Sequence, residues 1–321
     1  MNRPGLVALL AVALLSGSGG TSVAGGQRTA AGGAADSSAV VLTLLHTNDL
    51  HGRVYLPGQP QGLAKIATMA RQIRAEGGRV LLLDGGDIIH GTPEMLAFGG
   101  RPMIEAMNAT GFDAAVSGNH EFDFGQRVTR AAFSAAAFPM LSANVLDTKT
   151  RLPWGGLQPY VIRNVRGIRV AIFGLTTVQT VDIEWPRTLE GITFADPIET
   201  ARALVPLLRS REHADVVIAL THLGVSVDSA LARAVPGIDV VLGGHSHTRL
   251  SQQVWVDNSL ITQTWSYARL LGRTDLLLAR TDSGGYRIRE VNGRDGRWWG
   301  RAGVASPDGR AYPSTALLPL R

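Results

Sequence analysis

Cysteine is missing from all 321 residues. Disulfides, thiolate-held metals and a lipidated N-terminal cysteine are thereby excluded. Any metal has to sit on His, Asp, Asn or Glu. Lysine is scarce too: Lys65 and Lys149 are the only two, so the formal net charge of +5 is carried by arginine. No long basic run is present, which argues against a stable nucleic-acid partner. A mildly positive surface does help to draw in anionic substrates. No apolar run approaches the roughly 20 residues that a spanning helix needs. There is no internal repeat.

What is present begins with an export pattern. Arg3 gives a positive start, Leu6–Leu15 a ten-residue apolar stretch, and Ser22-Val23-Ala24 a small-residue cleavage site. Residues 1–24 read as a signal peptide, so the expected location is periplasmic or secreted, with no membrane span after cleavage. Residues 25–39 are rich in Gly, Ala and Ser and read as a flexible linker. One domain is expected over 40–292, then a loop-rich C-terminal tail, 293–321, anchored by Trp298-Trp299. With 45% of residues apolar, a full core is within reach.

From Val40 on, short apolar runs alternate with helical periodicity, the pattern of an α/β domain. Strands are expected at Val40–Leu45, Val80–Leu83, Ala114–Val116, Val216–Leu220 and Val240–Leu242. Val161–Asn164 and Ile168–Phe173 read as a hairpin, and short strands follow between Val254 and Val291. Leu63, Ile66, Ala67, Ala70 and Ile73 recur at helical spacing, and Gly77-Gly78 ends that helix. Helices are also expected over Pro102–Asn108 and Gly125–Ala137. Asp196-Pro197 is an N-cap followed by Pro at the first helical position. Pro206 is expected to kink or break the helix that follows.

Five of the expected strands run into clusters of metal-ligand residue types: Asp49-Leu50-His51-Gly52, Asp84-Gly85-Gly86-Asp87, Gly118-Asn119-His120-Glu121, Thr221-His222-Leu223-Gly224 and Gly243-Gly244-His245-Ser246-His247. Five of the chain's eight histidines lie in them. Ligands of α/β sheets bind beyond the carboxyl ends of the strands, where these clusters converge. Asp49 and His51 are two apart, as are His245 and His247, and in extended backbone each pair faces one way. Asp87 follows two glycines, and its carboxylate has the two oxygens needed to bridge a pair of ions. A ligand set of N and O suits Mn, Fe, Zn, Co or Mg and does not choose among them.

The ordered set HTNDLHG (His46–Gly52), GGDIIHGTP (Gly85–Pro93), GNHEFDFG (Gly118–Gly125), THLG (Thr221–Gly224) and GGHSHT (Gly243–Thr248) resembles the calcineurin-like metallophosphoesterases, in particular the N-terminal catalytic domain of the 5′-nucleotidases. The resemblance covers roughly Leu42 to Leu278. It implies a four-layer αββα sandwich of two mixed sheets. It implies two divalent metal ions, one on Asp49, His51, Asp87 and His247, the other on Asp87, Asn119, His222 and His245. His120 then faces the substrate, paired with Asp123. The expected reaction is hydrolysis of phosphate monoesters by a metal-bound hydroxide, in line and without a covalent enzyme intermediate. Full 5′-nucleotidases carry a further C-terminal domain that clamps the base. The expectation here is a chain without it and with broad specificity, its phosphate contacts including Arg53. A 2′,3′-cyclic-nucleotide phosphodiesterase, a thiosulfate-releasing hydrolase and a non-catalytic binding protein are the alternatives.

Taken singly, each histidine reads more plainly as structural. His46 ends a strand and reads as a packing residue, His90 as a loop residue and His213 as an exposed residue at a helix end. Asp84 and Asp239 read as supporting or turn residues. Trp298-Trp299 reads as an anchor before it reads as a base-stacking pair. Composition says nothing of oligomeric state.

Overall fold

The structure, a computed structural model, describes residues 39–55, 62–292, 298–300 and 318–319. The segments read as signal peptide and, save residue 39, as linker lie outside these, as do the side chains of Trp298 and Trp299.

Alternation sets the first strand. In β1 (Val40–Thr47), Leu42 and Leu44 face one layer and Leu45 the other. In α1 (Leu63–Ala75) the buried residues Leu63, Ile66, Ala70 and Ile73 form one stripe. Next come β2 (Arg79–Asp84), α2 (Pro93–Phe98), α3 (Arg101–Thr110), β3 (Ala114–Val116), α4 (Gln126–Ala135), β4 (Met140–Leu141) and β5 (Val145–Asp147). The expected hairpin is β6 (Tyr160–Val165) with β7 (Ile168–Thr176), followed by α5 (Thr180–Ile183) and β8 (Ile192–Phe194). Then follow α6 (Pro197–Ser210), β9 (Val216–His222), α7 (Val225–Ala234), β10 (Val240–Leu242), β11 (Val254–Val256), β12 (Ser259–Thr262), β13 (Leu270–Arg280) and β14 (Tyr286–Asn292). Two short strands, β15 (Trp298–Gly300) and β16 (Leu318–Pro319), lie within the span read as a loop-rich tail.

Both large sheets are mixed. The first runs β15-β14-β13-β1-β2-β3-β4, with β16 against β13. Its β1, β2, β3 and β4 are parallel, and β13 joins β1 antiparallel. The second runs β11-β12-β10-β9-β7-β6, parallel from β7 through β12. Between the sheets, Leu42, Leu44, Leu81, Leu83 and Val116 meet Val170, Ile172, Ile218, Leu220 and Leu242 in one buried core. Outside the first sheet, Leu45 and Leu82 pack with Ile66, Met103, Ile104 and Met107. Outside the second, Phe173, Val217 and Val241 pack with Ala201, Val205, Leu208 and Leu231. The layers are helix, sheet, sheet, helix, the αββα sandwich that the motifs implied.

Pro206 departs from expectation, because α6 continues through it to Ser210. Pro206 is exposed, so the acceptor it leaves without a helical donor faces water, and Val205 and Leu208 still bury the inner stripe. At the other end, the Asp196 side chain accepts from Glu199 N at 2.8 Å, the expected N-cap.

Candidate metal centre

The parallel strands β1, β2, β3, β9 and β10 end at one edge of the sandwich, and the five clusters meet there. Their backbone is not extended. Asp49, His51, Asp87, His245 and His247 all have positive φ, at 52°, 46°, 57°, 77° and 48°. Left-handed backbone in non-glycine residues is costly and clusters at functional sites. The expected i, i+2 pairing therefore needs correction: tight left-handed turns, not strand pleats, aim these side chains. Asp49 and His51 do converge, and they meet His247, with His51 Nε2 3.0 Å from His247 Nε2 and His247 Nε2 3.2 Å from Asp49 Oδ1. His245 has its Nδ1 3.1 Å from Asn119 Oδ1, and it lines one cavity with His247.

Asp87 lies between these groups. Its Oδ2 is 3.1 Å from His222 Nε2 and 3.8 Å from His51 Nε2. Its Oδ1 accepts from His120 N at 3.1 Å. Burial by itself would raise the Asp87 pKa, but the imidazoles of His222, His51 and His120 outweigh it and hold the carboxyl below its ordinary range. His222 is fully buried and donates Nδ1–H to Gly85 O at 2.7 Å, which leaves Nε2 as the free lone pair. That Nε2 is buried and, among the described residues, has no hydrogen-bond partner. Burial lowers the His222 pKa, yet Asp87 raises it to about 10, so the pair calls for positive charge at Nε2. A divalent cation supplies that charge, and the carbonyl on Nδ1 is the support a metal-ligating histidine needs. The residues present thus fit a metal. Burial lowers the pKa of His51 to about 4, despite the charges of Asp87 and Asp49, and keeps this imidazole neutral and open to a cation. Burial likewise lowers that of His245.

Glycine is required where the loops touch. A Cβ on Gly118 would lie 2.2 Å from Asp87 Oδ1, and one on Gly244 would lie 2.4 Å from Gly85 O. Glu121, wholly buried, staples two of the loops. Its carboxylate accepts from Ile88 N at 2.6 Å, from Asp87 N at 3.1 Å and from Gly118 N. Burial and the charge of Asp87 raise its pKa to about 7. Asn48 ties β1 to the loop before β13 by accepting from Thr264 N at 2.7 Å and donating to Trp265 O at 2.6 Å.

His120 stands beside the cluster. Its Nδ1 is 2.9 Å from Asp123 Oδ2, the expected pair, so Nε2 is the nitrogen left for another partner. Burial would lower its pKa, but the hydrogen bond to Asp123 and the charges of Asp87, Asp123 and Glu184 outweigh it and bring it to about 9. Glu184 is a residue that sequence reasoning missed. It receives Asn119 Nδ2 at 3.5 Å and lies 3.8 Å from His120 Nδ1, and burial raises its pKa to about 8. It follows a short helix with no motif, so no signal marked it. His90 is in a loop, as read, but its ring lines the same cavity of about 350 Å³ with Arg53, Ile183 and Tyr267. Arg53 donates to His51 O at 2.7 Å and Gly91 O at 2.6 Å and lies 5.0 Å over the Tyr267 ring.

The remaining candidates fall outside this cavity. His46 is buried against Gly272. His213 is exposed, just past the end of α6. Asp84 is buried and accepts from Thr47 Oγ1 at 2.6 Å and Gly86 N at 2.9 Å, supporting the turn before Asp87. Asp239 pairs with Arg209 at the amino end of β10, away from the metal-ligand cluster.

Fold and donor set together are those of a metallophosphoesterase. The family described as calcineurin-like phosphoesterase matches residues 42–249, and the chain belongs to that family. It is 41% identical over 224 residues to a 5′-nucleotidase of Vibrio cholerae, an alignment covering 64% of this chain and 40% of that protein. Among solved structures it is similar to the calcineurin-like phosphoesterase YfkN from Bacillus subtilis, with a TM-score of 0.70 and 26% identity, over 84% of this chain and 93% of that one. A 5′-nucleotidase precursor from Thermus thermophilus gives a TM-score of 0.68 and 29% identity, over 86% of this chain and 56% of that one. The chain thus spans 40% of the length of the Vibrio relative. Among the described residues, no helix is long and apolar enough to cross a membrane.

Proposed function

We propose that the chain is an exported phosphomonoesterase acting on nucleoside 5′-monophosphates and related small phosphate esters. The observation that carries this reading is the place of Asp87, within 3.1 Å of His222 Nε2 on one side and 3.8 Å of His51 Nε2 on the other. The reading puts one divalent cation on Asp49, His51, Asp87 and His247, and a second on Asp87, Asn119, His222 and His245. Bound there, such cations acidify water and offset negative charge on phosphoryl oxygens.

The chain's own side chains do the rest. His120, oriented through Nδ1 by Asp123, presents Nε2 to the leaving oxygen as a proton donor. Arg53, fixed by two carbonyls, adds positive charge at the cavity wall. Recognition centred on the phosphoryl group leaves the alcohol side loosely specified. In the same proposal residues 1–24 direct export, 25–39 form a tether, 40–292 are the catalytic unit and 293–321 a tail.

The test is a panel of nucleoside monophosphates, aryl phosphates and 2′,3′-cyclic nucleotides, assayed with and without Mn, Zn, Co and Mg. Divalent-dependent phosphate release from several monoesters, with kcat/KM within about tenfold of one another, is the expected result. Turnover confined to cyclic diesters, or none with any metal, would replace this reading with the phosphodiesterase or the binding protein.

A further inference from the structure

His90 is the cavity-lining histidine that the proposed function leaves without work. Its Nε2 lies 3.1 Å from Asp123 Oδ2, the same oxygen that receives His120 Nδ1 at 2.9 Å. The two imidazoles are stacked, with centroids 4.6 Å apart and planes 14° apart. Phe124 closes the other side of His90 at 6.0 Å. Among the described residues His90 Nδ1 is buried without a hydrogen-bond partner, so the polar contact of the ring is the one through Nε2.

Asp123 has a second suitor. Glu184 also hydrogen-bonds it, and Glu184 approaches His120 Nδ1, at 3.8 Å. A carboxylate shared between Glu184 and His120 has more than one orientation open to it. His90 Nε2, 3.1 Å from Oδ2, narrows that choice, and a ring stacked on His120 stops that imidazole from tilting. We propose that His90 is a positioning residue, which locks Asp123 and the His120 ring in the orientation that aims His120 Nε2 at the substrate. This rests on the phosphoesterase reading for its kinetic consequence and on geometry alone for its structural one. His90 acts through Asp123 and His120 and makes no bond to the reacting atoms.

Three variants separate the two contacts. His90→Phe keeps the stacked ring and loses the donor. His90→Gln keeps a donor and loses the ring, and His90→Ala loses both. Loss of a polar side chain that supports a site residue reduces activity about 10–100-fold. The expected result is such a fall in kcat for His90→Phe and more for His90→Ala, with KM within about threefold of wild type and metal content unchanged. His90→Gln should recover part of the loss, and it also serves if the Phe variant fails to fold.

A second readout does not depend on turnover. In metal-free protein, the His120 Nδ1–H proton held by Asp123 should give a protected downfield NMR resonance, identified by its loss in His120→Gln. That resonance should broaden or shift in His90→Phe. If it is unmoved and kcat is unchanged, the proposal is wrong. It is also wrong if Zn titration shows one equivalent bound by wild type and lost in His90→Phe, since His90, His120 and Asp123 would then be ligands of a further cation. A shifted resonance in a protein that hydrolyses no phosphate ester would sink the proposed function and leave the positioning network standing.

Discussion

His46 provides a test of the packing logic that is independent of catalysis. It opens the first motif, yet it is 1% exposed, and a Cβ on Gly272 would lie 2.0 Å from its Cε1. Among the described residues its Nδ1 has no hydrogen-bond partner, and Thr262 Oγ1 is 3.4 Å from Nε2. Burial lowers its pKa from 6.5 to about 3. A histidine with a depressed folded pKa contributes stability above its unfolded pKa, and that stability is lost as pH falls toward the folded value. Between pH 8 and pH 5 the unfolded chain takes up a proton that the folded one refuses, at a cost of about 2 kcal/mol. For a domain of this size that corresponds to about 4–8 °C in Tm. His46→Asn removes the titration and leaves a small cavity, whose cost does not vary with pH. Thermal unfolding of metal-free wild type and variant from pH 8 to pH 5 therefore isolates the effect, because ligand histidines titrate alike in both. Wild type should lose about 2 kcal/mol more than the variant across that range. Parallel curves would refute the account of His46 as a neutral packed histidine.

Other perturbations probe the site. His120→Ala should keep its metals and lose about 10²–10⁴-fold in rate on alkyl phosphates, and less on p-nitrophenyl phosphate, whose leaving group needs no proton; equal losses on both would remove the acid role. Gly118→Ala places a methyl 2.2 Å from Asp87 Oδ1. It should cost about 1–3 kcal/mol in stability and lower metal content, both measurable by calorimetry and elemental analysis. Asp228, buried with a pKa raised to about 7, works in the opposite sense to His46. Its stability contribution is full below about pH 4 and is lost as pH rises through 7, so Asp228→Asn should gain on wild type over that range by up to the order of 4 kcal/mol. A pH-independent difference in Tm would count against it.

Much of this was legible because the chemistry is local. Each cluster follows directly on a strand, so recognising the strand placed the cluster at the correct edge. The alternation of Leu42, Leu44 and Leu45 and the stripe of α1 fixed the layers on which those strands lie. What stayed hidden depends on contacts between distant parts of the chain or on backbone detail. Glu184 reaches Asn119 across 65 residues with no motif around it. Glu121 was visible inside its motif, but its role as a clamp on Ile88 N and Gly118 N depends on two loops meeting. His90 reads as a loop residue until its ring is seen against His120. The left-handed turns at Asp49 and His245 carry only a weak residue-type signal, since Asp and His enter that region more often than most side chains but far less often than glycine. Pro206 shows the reverse: a strong local rule yields where the lost helical bond faces water.

The central claim is that Asp87 is shared between two cation sites. Wild-type protein equilibrated with Mn or Zn and passed through a desalting column should carry two divalent ions per chain by elemental analysis, and Asp87→Asn should carry fewer than two and lose most phosphatase activity. Two ions and near-wild-type activity in Asp87→Asn would contradict the account.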